Sequence, residues 1–120
     1  MSKRQQAFGT VLQSAMQQYQ RRQYQACLRL LEGAHIIGQP HFALHLLSHW
    51  WMLKAALRLR DWVEVRGQCW RLLLTPLGHL SGRLPPGNTG RARVSAFQPM
   101  PLPDDLALND VPPEFTDWRR

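Results

Sequence analysis

Acidic residues are scarce over most of this chain. Of 120 residues, only Glu32, Asp61 and Glu64 are acidic before residue 94, against thirteen Lys/Arg, so residues 1–93 carry +10. Cysteine is equally sparse: Cys27 and Cys69, with no C-x-x-C, are neither a zinc framework nor a disulfide scaffold, and a reduced, cytoplasmic protein is expected. No run of 18 apolar residues occurs, which excludes a membrane span of the usual kind. The opening MSKRQQAFGTVLQS lacks the apolar stretch of a signal peptide. Proline is nearly missing from residues 5–75, where only Pro40 occurs, and then becomes frequent: Pro85, Pro86, Pro99, Pro101, Pro103, Pro112 and Pro113.

Proline has no amide hydrogen and clashes with the preceding helical turn. Residues 1–79 are therefore expected to form a helical domain and residues 80–120 an extended arm. The arm inverts the charge of the body: Asp104, Asp105, Asp110, Glu114 and Asp117 face only Arg119 and Arg120, a net −3 over residues 94–120. It is also too apolar for a plain linker, with Val94, Phe97, Met100, Leu102, Leu106, Leu108, Val111, Phe115 and Trp118. Such an arm is expected to pack on the helices, on a protein partner or on a second copy.

Apolar residues recur at helical spacing in four stretches. They predict helices over about residues 4–21, 23–37, 40–59 and 62–75, the last ending at Pro76. Gly38 is placed as a positive-φ residue closing the second helix, Pro40 in the first turn of the third, and Asp61 as an N-cap of the fourth. Trp50, Trp51, Trp62 and Trp70 read as packing residues or an aromatic pocket, and both cysteines as buried and inert. Tyr24, Cys27, Leu31 and Ala34 are echoed by Trp62, Val65, Cys69 and Leu72 at the same offsets, 38 residues later. The fold class that follows is all-α, a four-helix bundle of two helical hairpins with a tetratricopeptide-like repeat, covered by the Pro-rich C-terminal arm.

The segment EGAHIIGQPHFALHLLSH, residues 32–49, concentrates the chemistry. Glu32 and His35 share one face of the second helix. His41, His45 and His49, four apart, share one face of the third. The short link at residues 38–40 makes these helices antiparallel neighbours. At about 1.5 Å rise per residue, His35 comes level with His45 and Glu32 approaches the level of His49. One carboxylate and three imidazoles suit a divalent metal such as zinc, with Glu32, His35, His45 and His49 as ligands. His41 is a weaker candidate in the first turn, and His79 is placed in a loop after Pro76. A buried polar network of the same residues is the competing expectation.

Residues 85–90, PPGNTG, read as a turn. Asn88 and Arg91 are the possible ligand contacts there, Arg91 as a plain anion contact; a phosphate cradle would need a P-loop lysine that is not present. No Ser-His-Asp set is visible, so catalysis is not expected unless a metal keeps a position open for water. A sequence pI near 10.7 leaves nucleic-acid association as an alternative, without a recognition motif. A tetratricopeptide-like protein-interaction module is the other alternative.

Leu31-Glu32-x-Ala34-His35-x-x-Gly38-Gln39, His45-x-x-x-His49-Trp50-x-Met52-Leu53, Gly67-Gln68, and Pro86-Gly87-Asn88-Thr89-Gly90 with Val94-Ser95 and Pro101-x-Pro103 together resemble a family of small bacterial proteins known only as a domain of unknown function. The resemblance spans about residues 20–106. It implies a compact bacterial protein and joins the Glu/His set and the loop into one unit, with no activity to carry over. The family pattern reads Gly-Asn-Thr-Gly-Gly, and here Arg91 follows Gly90.

Overall fold

The computed structural model describes residues 2–81 together with Gly90 and Arg91. The described residues form a bundle of four helices: α1 (Lys3–Gln20), α2 (Tyr24–Gly38), α3 (Phe42–Leu59) and α4 (Trp62–Ser81). Each packs mainly on its neighbours in the chain, with a lighter contact between α1 and α3. Among the described residues no helix is long and apolar enough to cross a membrane. The arm expected beyond residue 81 lies outside the described residues, apart from Gly90 and Arg91.

Local chemistry sets the helix ends. Ser2 Oγ accepts from the Gln5 amide at 3.1 Å, while the Ser2 amide donates to Gln5 Oε1 at 2.8 Å, a reciprocal cap that starts α1. Arg22 (φ 61°) and Arg60 (φ 56°) take the left-handed conformation in the two turns that close the hairpins. The Glu64 amide donates to Asp61 Oδ1 at 3.2 Å, as expected of Asp61.

Two apolar clusters fuse the first three helices. Ala7, Phe8 and Val11 of α1 pack with Ala34 and Ile37 of α2. Ala15 joins Cys27, Leu28 and Leu31 of α2 and Met52 and Ala55 of α3. Burial pushes the Cys27 thiol up to about 11, so it is an inert packing group.

Several expectations need correction. Gly38 is the last residue of α2, and the following cap, Gln39, is right-handed (φ −53°). Glycine is required there for space: a Cβ would meet Phe8 Cδ2 at 2.8 Å and Leu44 Cβ at 2.9 Å. Helix α3 starts at Phe42 with His41 as its cap residue, so Pro40 lies in the turn before it. Helix α4 does not stop at Pro76 but runs through it to Ser81. One lost backbone bond is tolerated because the last turn carries His79 onto α3, edge-on to Phe42 with ring centroids 5.3 Å apart.

The largest correction concerns the direction in which α4 faces. Its buried residues are Glu64, Gln68, Arg71 and Thr75, an i, i+4, i+7, i+11 stripe of polar side chains. Trp62, Trp70, Leu73, Leu77 and Leu80 lie on the outside, as does Trp50 of α3. Cys69 is exposed, whereas Leu31, its counterpart in the 38-residue repeat, is fully buried. Trp51 is the half-buried packing residue of the four tryptophans considered, set edge-on against Tyr19 at 5.4 Å.

Candidate metal centre

Buried polar groups must find partners, and the inward stripe of α4 meets His49 of α3 together with Gly90 and Arg91. His35 reaches across from α2 to His45 on α3, with 2.9 Å between their Nε2 atoms. His49, one turn further along α3, brings its Nε2 to 3.1 Å from the same His45 atom. All three rings are buried, and their ligand nitrogens lie within 4.8 Å of one another. Three histidines are thus close enough to hold a metal ion.

A chain of hydrogen bonds fixes the protonation of His49. Gln68 Nε2 donates to Glu64 Oε2 at 2.7 Å and to the Gly90 carbonyl at 2.8 Å. Two acceptors on that side identify it as the NH2 end, which turns Gln68 Oε1 toward His49 Nδ1, 2.7 Å away. The oxygen can only accept, so His49 carries its proton on Nδ1. In the neutral ring the Nε2 lone pair then points at the other two histidines.

That arrangement is frustrated if only protons are available. An imidazole nitrogen offers either one proton or one in-plane lone pair. If His45 Nε2 holds a proton, it cannot align that proton with both His35 and His49. If it holds a lone pair, it opposes the lone pair of His49 at 3.1 Å. A single cation between the rings would satisfy all three nitrogens together. Tetrahedral zinc with bonds of 2.0–2.1 Å sets its nitrogen ligands about 3.3 Å apart, close to the 2.9 and 3.1 Å that separate His45 Nε2 from the other two rings.

Burial keeps the lone pairs free of protons. It pushes His45 down to about 3, helped by neighbouring His49 and His79. It pushes His49 down to about 4; Arg71 adds to the effect, while the Gln68 bond and the Glu64 charge oppose it. Neither ring needs to lose a proton before meeting a metal at neutral pH.

Glu32 is not part of the histidine triad. Its carboxylate is engaged by Arg29 one turn earlier and by Arg91 Nη1 at 3.0 Å. Arg91 Nε also donates to Glu64 Oε1 at 2.5 Å, so one guanidinium joins two buried acids from α2 and α4. A carboxylate already paired with two arginines is a poor addition to a cation site, and this is why the Glu-x-x-His spacing does not bring Glu32 into the cluster. Arg91, a candidate ligand contact, serves as this clamp. His41 is exposed at the start of α3, and Asn88 lies outside the described residues.

Residues not singled out as ligands complete the site. His79, carried inward by the continuation of α4, sets its Nε2 3.0 Å from His45 Nδ1. Gly90 (φ 81°) lies against the His35 ring so closely that a Cβ would fall 2.6 Å from Cδ2. Gln68 and Glu64 could have been found from their four-residue spacing on the helix after Asp61, had the stripe been allowed to be polar.

No curated protein and no solved structure matches the chain. A family described as proteins of unknown function, DUF3703, matches over residues 2–108. With nearly the whole of its length covered, the chain belongs to the DUF3703 family.

Proposed function

We propose that the protein binds a divalent, imidazole-preferring metal ion such as zinc through His35, His45 and His49. The convergence of the three Nε2 atoms around a position that no single proton can satisfy carries the reading. The supporting shell has the form metal sites use: two of the three ligand rings are oriented by a partner on the other nitrogen. Gln68 plays that part for His49 and His79 for His45. Three neutral protein ligands leave a tetrahedral ion one further position, to be filled by water or by a group from outside. With no carboxylate or thiolate among the three, hard cations such as magnesium and calcium are disfavoured relative to zinc, copper, nickel or cobalt.

The experiment is a metal titration of protein made without a histidine tag and stripped with chelator. Zinc should raise the unfolding midpoint, because a ligand of the native state stabilises by RT ln(1 + [L]/Kd), about 2.7 kcal/mol at a hundredfold excess over Kd. His45→Ala should abolish the rise, and magnesium should produce none. If zinc, copper, nickel and cobalt all leave the midpoint unmoved, the reading fails.

A further inference from the structure

The polar interior of α4 leaves its apolar residues on the outside. Trp62, Trp70, Leu73, Leu77 and Leu80 are each at least 60% exposed. Next to them a groove of about 550 Å³ opens between α3 and α4, with Phe42, Leu46 and Trp50 on one side and Leu72 on the other. A helix that turns its tryptophans and leucines outward leaves unburied the surface that ordinarily drives packing.

The chain itself contains a segment suited to this groove. Twenty-nine residues follow Arg91, which is anchored beside α4 by its ion pairs with Glu64 and Glu32. Within them Phe97-Gln98-Pro99-Met100-Pro101-Leu102-Pro103 alternates prolines with large apolar side chains. Prolines at this density favour the polyproline II conformation, and aromatic-lined grooves receive such segments because little chain entropy remains to be lost. Five residues lie between Arg91 and Phe97, six Cα steps with a reach of about 20 Å, against a helix diameter of about 10 Å. Charge agrees as well: five acids and no Lys/Arg occupy residues 94–118, opposite in sign to the net +10 of residues 1–93.

We infer that the groove between α3 and α4 is the docking site of this chain's own Pro-rich segment, residues 97–103, which covers Trp50 and Leu72 in cis. The inference does not depend on metal binding.

A photo-crosslinking amino acid, p-benzoylphenylalanine, in place of Phe97 of the full-length protein tests it. Irradiation should give crosslinks within one chain, mapped by mass spectrometry to residues 42–50 or to Leu72. Crosslinks joining two chains would overturn the inference in favour of a second copy. Crosslinks elsewhere on the chain, or none, would overturn it outright. A second measurement uses Leu102→Asp, a change beyond α4 in the sequence. It should raise the fluorescence of an apolar dye bound to the full-length protein several-fold with no loss of helix signal, and unchanged dye binding would count against docking.

Discussion

Replacing Gln68 by leucine separates the cluster's geometry from its mere histidine content. The leucine side chain is close in size but has no polar atoms, so the helix and its packing are retained. Three hydrogen bonds are lost, to His49, Glu64 and the Gly90 carbonyl. At about 0.5–1.5 kcal/mol each, with a further penalty for the buried His49 N–H that loses its acceptor, the metal-free protein should be destabilised by roughly 2–5 kcal/mol. For a bundle of this size each kcal/mol lowers the midpoint by about 4–8 °C, which a thermal melt resolves easily. The second effect is specific. With Nδ1 no longer held as a donor, His49 can place its proton on Nε2, where it competes with the metal. Loss of such an outer partner typically costs 10–100-fold in metal affinity. Calorimetry or competition with a chromophoric chelator measures this on folded variant protein, below its lowered midpoint. Zinc affinity equal to that of the unmodified chain would refute the role assigned to Gln68. An unchanged melt would refute its role in the buried network.

Acid should destabilise the metal-free protein in a defined window. His45 and His49 are depressed by burial to about 3 and about 4, so below the ordinary value of 6.5 the unfolded chain takes up protons that the folded chain refuses. Stability is therefore intact above pH 6.5 and falls toward pH 4, by up to about 1.4 kcal/mol per pH unit for each histidine, as urea unfolding across that range will show. Gly90→Ala should destabilise by about 1–3 kcal/mol and weaken zinc binding in the same titration, because the new Cβ meets the His35 ring at 2.6 Å on a backbone with φ 81°. Gly38→Ala should cost a similar 1–3 kcal/mol in denaturant unfolding by forcing Phe8 and Leu44 apart, with zinc affinity unchanged. Arg91→Met should cost about 3–5 kcal/mol, since Glu32 and Glu64 both lose a shared cation; a variant as stable as the parent would show that the clamp contributes nothing.

The three histidines were legible because two simple rules located them. A four-residue spacing placed His45 and His49 on one face, and a short link set His35 opposite them. The bundle followed from the 3.6-residue period of its apolar residues in α1, α2 and α3. Helix α4 defeated the same rule. Its period is visible, but the stripe facing inward consists of Glu64, Gln68, Arg71 and Thr75, and hydropathy assigns such a stripe to solvent. Only knowledge that α4 must serve a histidine cluster reverses that choice. Glu32 misled for a related reason: spacing places a carboxylate near an imidazole but does not show that Arg29 and Arg91 have claimed it. The continuation through Pro76 was hidden because proline's local cost was weighed without the contact of His79 with His45 that offsets it.

The contributors to this network span the chain from Glu32 to Arg91, and the last of them act at its centre: the Gly90 carbonyl orients Gln68, and Arg91 neutralises Glu64. A growing polypeptide that has emerged only through α3 already exposes all three imidazoles, but nothing yet decides which of their nitrogens carries the hydrogen. On the proposed metal-binding reading, ordered loading would therefore await the emergence of Gly90 and Arg91, and a shorter nascent chain would offer a metal no more than a loose, exchangeable foothold.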